Sequence, residues 1–407
     1  MVKVLFLLSC LLLFLYANPL QDAIDKAAPY AIIKLHKGMY EGGIKINKPL
    51  SIVGMEDNVV IDSKGKGSVI TITSSDVTLK NLHIQGSGSH SYTIDAAIAM
   101  KEVKRCKILS CTIENVLYGI DMYMVSDSRI EKNTISSNGN DISMRGDGLK
   151  LYYSHNNVFA DNLIKNVRDV TLHYSNNNLF ERNRFYENRF ATHIALSHNN
   201  ILRENEYRYN SVSVMLMGVK DTQLVANTIH SSKGAAGIGV MIGAVMNLRF
   251  ESNSVRYNAK ALYIDGKEKE AGIKRYILKN EIAYNAEAFH FHATIKDNQI
   301  LYNNIFGNIE DVVKDVAGGF RASNEVAYNY WDRYGGFDRD NDWIGDKPYE
   351  VYQYIDKLWH YNKSVKFFYA SPVMSLLDFL LQLAPFIEPT LIMRDIKPRI
   401  EPNDLAF

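Results

Sequence analysis

Asn183-Arg-Phe-Tyr-Glu-Asn188 is followed 22 residues later by Asn205-Glu-Tyr-Arg-Tyr-Asn210, and the same frame, Asn-x-(apolar or aromatic)-x-x-Asn, runs through most of the chain. It stands at Asn133–Asn138, Asn253–Asn258, Asn280–Asn285, Asn303–Asn308 and Asn324–Asn329, with degenerate copies starting at Cys111, Asn162 and Asn227. The start-to-start intervals are 22, 29, 21, 22, 22, 26, 27, 23 and 21, so the base period is 21 to 22 and three coils carry insertions. A period near 22, with short alternating runs between turn residues, predicts an all-β chain wound as a right-handed parallel β-helix, three short strands to each coil. In Val170–His173, His193–Leu196 and Val214–Met217 the Leu, Ile and Val side chains are expected inward. Asparagine at a fixed turn position tolerates the left-handed conformation. Stacked coil on coil, its amide can also donate and accept along the axis. A leucine-rich repeat would need a Leu-x-x-Leu-x-Leu frame and a helix in each repeat, and neither is present.

Outward from the repeat, Gln21 to Ala28 reads as a short amphipathic helix that would cover the open N-terminal end of the stack, where strand edges and core are otherwise bare. Strands are expected at 31–35, 43–46, 50–54, 59–62, 69–72 and 77–80, between Gly, Asp and Asn turns. The β-helix is therefore placed at residues 18–330. An Asp-rich loop and aromatic segment follow at 331–370, then a helix from Ser371 to Leu383 and an extended docking tail within 371–407, punctuated by Pro385, Pro389, Pro398 and Pro402 and suited to threading along a partner's surface. The helix is apolar nearly all round and must be covered by something, which makes it a docking element or an end cap.

Residues 1–17 read as a secretory signal peptide: Lys3 is the charged start, Val4 to Tyr16 the apolar stretch, and Leu15-Tyr16-Ala17 the cleavage site. The expected location is outside the cytoplasm. Cys106 and Cys111 remain in the mature chain, either as a pair or as two core thiols, and two cysteines are too few for a disulfide scaffold. With 46 Lys+Arg against 45 Asp+Glu, the chain has neither a nucleic-acid footprint nor a polybasic tail.

Counting back from each Asn aligns one strand across the coils. Its outward pairs, in order, are Asp121 and Tyr123, Lys150 and Tyr152, Thr171 and His173, His193 and Ala195, Met215 and Met217, and Met241 and Gly243. Neighbours in such a column lie about 4.8 Å apart. His193, Met215 and Met241 thus share a column, with His173 and Met217 beside it, while His290 and His292 flank an inward Phe291. Imidazole with thioether suits Cu(I) and selects against Mg²⁺ and Ca²⁺. The plain alternative is packing under an insertion or a partner, a common use of Met. A second constellation is Arg145-Gly-Asp147-Gly-Leu-Lys150 with Asp121 one coil earlier. Those residue types on one face would serve a polysaccharide lyase or hydrolase; the alternative is a solvated turn in which Arg145 pairs with Asp147. In a third, Asp338, Asp340, Asp342 and Asp346 alternate along a loop and could wrap a hard cation such as calcium. A polar turn explains them as well, because Trp343 stands where an EF-hand needs Gly and the closing Glu is missing.

Taken together, the chain resembles the NosD family of nitrous-oxide reductase maturation proteins, whose β-helix is shared with carbohydrate-binding and sugar-hydrolysing proteins. The residues that carry the resemblance are Asn18-Pro-Leu-Gln-Asp-Ala-Ile-Asp25, Gly38-Met-Tyr-Glu-Gly42 with Lys48-Pro-Leu-Ser-Ile-Val-Gly54, and Arg145-Gly-Asp-Gly-Leu-Lys-Leu-Tyr-Tyr-Ser154. Asn329-Tyr-Trp-Asp-Arg-Tyr334 with Gly345-Asp-Lys-Pro-Tyr349, and Ser371 to Phe386, add to them. The resemblance implies a non-enzymatic periplasmic protein that partners an ABC permease and ATPase, with a copper chaperone and nitrous-oxide reductase as further partners. It implies copper, or a sulfur species, as cargo. It supplies no ligand residues, so the His/Met columns rest on the residues alone. ATP chemistry would belong to the partner, since the chain has no Gly-x-x-x-x-Gly-Lys-Ser/Thr loop.

Overall fold

The computed structural model describes residues 18–139, 141–234, 236–265, 274–292, 294–316, 319–353, 371–383 and 389–405. The expected leader and most of the aromatic segment lie outside the described residues.

Three parallel sheets run side by side along one axis, two of 13 strands (A and B) and one of 12 (C), and each strand pairs with its counterparts in the adjacent coils. The result is a right-handed parallel β-solenoid of about 12 turns with about 23 residues per turn. The Asn frame undercounts the turns because it begins at Cys111, after the first coils, whose left-handed corner residues are mixed: Gly43, Asn58, Lys64, Asp76, Asn81 and Gly86. Strands in sheets A and B are mostly three residues long, whereas sheet C has six-residue strands such as Phe190–Ala195 and Val212–Met217. Alternation sends Ile194, Val214 and Leu216 into the core, and aromatic pairs stack coil on coil there, Phe159 on Phe180 at 4.4 Å and Phe185 on Tyr207 at 4.8 Å.

The asparagines form the expected ladder. Asn183 Nδ2 donates to Asn205 Oδ1 (3.0 Å) and to the Phe159 carbonyl (2.8 Å), and Asn205 Oδ1 also accepts from the Asn183 backbone N–H (2.9 Å). The same contacts link Asn133 to Asn162, then Asn227, Asn253, Asn280, Asn303 and Asn329 in turn. Two details of the expectation change. The left-handed residue at each corner is the one before the asparagine, Lys132, Arg182, Glu204 and Tyr209 among them, with φ between 51° and 57°. The asparagine itself stays outside that region so that its amide can point inward along the axis. The Asn324–Asn329 copy also sits one corner early: Asn324 accepts from Asn298 Nδ2 (2.8 Å), and Asn329 is the ladder partner of Asn303. Asparagines stand at all three corners, so a five-residue frame fits more than one of them.

Both ends are closed. A helix at Pro19–Lys26, starting earlier than expected, is capped by Asn18, whose Oδ1 accepts from the Leu20 and Gln21 N–H groups, and it buries Leu20 and Ile24. At the other end the tail is a strand of the protein itself. Thr390–Asp395 pairs antiparallel with Tyr349–Gln353, and Ile392 and Met393 are buried in the core. Asp395 accepts from Asn329 N–H (3.2 Å), Asn329 Nδ2 (2.9 Å) and Trp331 Nε1 (3.0 Å), terminating the ladder. A tail threading along a partner is thereby corrected for these residues: the open end of the core offered them the nearest apolar surface. The Pro372–Leu383 helix lies between the two paired strands, with Val373, Leu376, Leu377, Phe379, Leu380 and Leu383 exposed. Among the described residues no helix is long and apolar enough to cross a membrane. Cys106 and Cys111 are free and buried.

Candidate metal centre

Sheet C carries the candidate site because its strands are the longest, and so present outward columns on either side of their inward residues. The register is the one expected: Thr171 pairs with His193, His193 with Met215 and Met215 with Met241, and in the neighbouring column His173 pairs with Ala195, Ala195 with Met217 and Met217 with Gly243. Ala195 leaves a small residue between His173 and Met217, flanked by His193 and Met215. The two imidazoles meet edge to face, with ring centroids 5.6 Å apart. His173 Nε2 and His193 Nε2 are both buried atoms with no hydrogen-bond partner. Burial holds both imidazoles below their ordinary titration range, helped for His173 by Lys150 and for His193 by His173. Both are therefore neutral at neutral pH, the form that binds a metal. The donor set of neutral imidazole and thioether fits Cu(I). The two thiols are no rivals, since burial pushes Cys106 up to about 11 and Cys111 up to about 12, leaving each a protonated core group.

The other end of the same face is a groove of about 280 Å³ that runs from Asp147 and Lys150 to His173 and His193. Asp121 and Lys150 are adjacent in register. Asp121 and Asp147 are buried, at 6% and 3% exposed, and burial raises both carboxyls above the ordinary range. Arg145 does not pair with Asp147; it reaches the carbonyls of Gly139 (3.1 Å) and Glu187 (3.3 Å). Asp147 is instead gripped by Arg168 Nε and Nη2 (3.1 and 2.9 Å) and by Thr171 Oγ1 (3.2 Å). One coil on, Asp169 accepts from Arg189 and from the Phe190 N–H. These two arginines escaped the sequence reading. Their signal is positional: each opens a strand of sheet C just after the corner, one coil apart, where a long cation can fold back on the preceding carboxylate. With Asp147 and Asp169 held by arginine, this end presents ion pairs rather than a free pair of carboxylates.

The acidic loop is separate. Asp338, Asp340 and Asp342 bring ligand atoms within 4.8 Å of one another, and Asp346 is not part of that group. Asp338 accepts from the Asp342 and Trp343 N–H groups, and Asp342 from the Ile344 N–H, so these carboxylates already brace the loop.

Comparison with known proteins bears on this face. The family described as periplasmic copper-binding protein (NosD) matches residues 139–336, which include all five His and Met residues of the columns, and the right-handed β-helix region family matches residues 38–175. A probable ABC transporter binding protein NosD of Pseudomonas aeruginosa is 26% identical over 385 residues, covering 87% of this chain and 84% of its own. Its counterpart from Stutzerimonas stutzeri is 24% identical over 367 residues, with the same coverage. Among solved structures, the A-module of a mannuronan C-5 epimerase from Azotobacter vinelandii superposes with a TM-score of 0.51 at 14% identity, covering 77% of this chain and 93% of that module. A mannuronic acid specific polysaccharide family 6 lyase from human gut microbiota gives 0.50 at 12% identity, covering 77% and 84%. At such identity the two enzymes share the fold and nothing more. Residues 139–336 thus match the NosD family, and the two relatives extend the similarity along most of the chain.

Proposed function

We propose that the protein is the periplasmic accessory component of an ABC-type transporter and serves assembly of the copper centres of nitrous-oxide reductase. Its His/Met face holds Cu(I) in transit. The observation that carries this reading is the pair of buried imidazole nitrogens, His173 Nε2 and His193 Nε2, without a hydrogen-bond partner beside Met215, Met217 and Met241. A buried nitrogen left unpaired costs free energy, on the order of 1–3 kcal/mol, which a metal would offset. His173, His193, Met215 and Met217 would supply the ligands, and Met241 extends the thioether column. Copper would give the site its affinity for soft donors. The chain keeps the imidazoles neutral and half-shielded, and Ala195 keeps the centre of the cradle open.

Competition for Cu(I) with a chromogenic chelator tests the site. The double variant His193→Ala, Met215→Leu should lose about tenfold or more in affinity, equivalent to about 1.4 kcal/mol. Affinity equal to wild type would rule the site out. Because both imidazoles titrate below their ordinary value, wild-type affinity should stay level from pH 8 to about 6.5 and fall only below that.

The Pro372–Leu383 helix is the proposed contact with the permease. Its exposed Leu376, Phe379 and Leu380 have no cover among the described residues. Deleting the chain from residue 371 is a poor test, since it removes Thr390–Asp395 from the core. Leu376→Ser with Phe379→Ser leaves that closure intact and should abolish co-purification with the permease at unchanged melting temperature. Normal co-purification would refute the contact.

A further inference from the structure

The outward column that carries His193, Met215 and Met241 does not end with the thioethers. Met241 pairs with Tyr263, and Tyr263 with His290. His290 lies on the strand Glu287–Phe291 and His292 follows directly after it, two residues along and on the same face. On the next coil Phe291 pairs with Lys314, which sets His292 opposite Asp315. Asp315 meets both rings: its Oδ1 is 2.6 Å from His292 Nδ1, and its Oδ2 is 3.5 Å from His290 Nε2. His290 is 7% exposed, and its Nε2 is a buried nitrogen without a hydrogen bond. The other nitrogen, Nδ1, lies 2.5 Å from Glu287 Oε2. Tyr263 stacks on both imidazoles, at 4.9 and 6.2 Å between centroids.

This is the arrangement of a metal-binding histidine. One ring nitrogen is held by a carboxylate, which sets the tautomer and makes the opposite nitrogen the better donor. That opposite nitrogen makes only a long contact, 3.5 Å, to a second carboxylate, whose other oxygen a second imidazole holds. We propose that His290, His292 and Asp315 form a second metal site, with Glu287 orienting His290. Two imidazoles and a carboxylate contain no soft sulfur, so the site takes a borderline divalent cation such as Zn²⁺ rather than Cu(I). His292 has a side chain 44% exposed, so the cation can enter from solvent and the ring can turn to meet it. The fold thus sets a soft site and a harder one on one face, four coils apart in register along the column from His193 to His290.

The test is a Zn²⁺ titration of the purified protein against a chromogenic chelator, with melting temperature followed in parallel. Wild type should bind Zn²⁺ at this site and melt higher when loaded. His292→Ala alters an exposed ring and should keep the fold; it should weaken Zn²⁺ by about tenfold or more. Asp315→Asn should do the same, and Cu(I) affinity should stay at the wild-type value in both. Asp340→Asn, in the acidic loop, should leave this Zn²⁺ affinity unchanged. No Zn²⁺ binding by wild type, or undiminished binding in both His292→Ala and Asp315→Asn, would overturn the proposal and leave the cluster a structural ion network. Loss of Cu(I) binding in the His193/Met215 variant is read separately, so the two sites stand or fall independently.

Discussion

The corner ladder and the outward face of sheet C are both columns of polar side chains, stacked coil on coil in the same register, yet they are built to opposite rules. In the ladder the residue type hardly changes from coil to coil, and the amide groups are partnered: Asn205 alone makes contacts with Asn183, Phe180 and Asn227. On the face, the residue changes at every coil, from Asp121 through Lys150, Thr171 and His193 to Met215. There, two buried imidazole nitrogens are left without a partner. A repeated and satisfied polar column stabilises the solenoid. One that is irregular and unsatisfied keeps donors available for something that is not part of the chain.

The sharpest way to break this contrast is to cut the ladder in mid-stack. Asn205→Leu removes the acceptor for the Asn183 N–H and Nδ2 groups and the donor to the Phe180 carbonyl. It should cost about 3 kcal/mol in urea unfolding, the sum of a few orphaned buried groups. A cost under about 0.5 kcal/mol would make the ladder a by-product of the repeat rather than a support. At the end of the ladder, Asp395→Ala leaves Asn329 and Trp331 without their acceptor. It should cost about 2 kcal/mol, less than the interior cut because Asn329 Nδ2 keeps the Ile300 and Ala327 carbonyls as acceptors.

A titration sharpens the picture of the closing end. Asp311 is buried beside Tyr349, whose hydroxyl donates to it at 2.7 Å, and burial pushes its carboxyl from 3.8 up to about 6. Between those values the folded state holds the proton more tightly than the unfolded chain. The stability from this group is therefore present at lower pH and is lost as pH rises through about 6, on the order of 2 kcal/mol across the window. Asp311→Asn should flatten that slope between about pH 4 and 6; an unchanged slope would mean that the carboxyl ionises freely in the fold. The smallest expected change comes from the face itself. His193→Ala with Met215→Leu should alter unfolding free energy by no more than about 0.5 kcal/mol, because neither side chain supports the core. A loss near that of Asn205→Leu would erase the distinction between the two columns.

The coil, its period and the two faces of each strand were legible in the residues alone. These follow from local rules: a side chain alternates every residue along a strand, and a corner needs one left-handed residue every time it is turned. The column of His193, Met215 and Met241 could be read for the same reason, because equal spacing from a repeated asparagine becomes equal height in the stack. What local rules do not contain, only the tertiary structure decided. The five-residue Asn frame could not say which corner Asn324 and Asn329 would occupy, since asparagine serves all three. It could not show Arg168 and Arg189 taking Asp147 and Asp169, nor Glu287 and Asp315 gathering around His290. The expected pairing of Arg145 with Asp147 gave way because a residue one coil away stood closer than one two positions along the chain. The return of the tail to close the core spans long sequence distances, with Asp395 reaching Asn329 across 66 residues and Asn403 reaching Asn303 across 100. Such contacts are selected by which buried group still lacks a partner once the coils are stacked, and that is known only after the chain has folded.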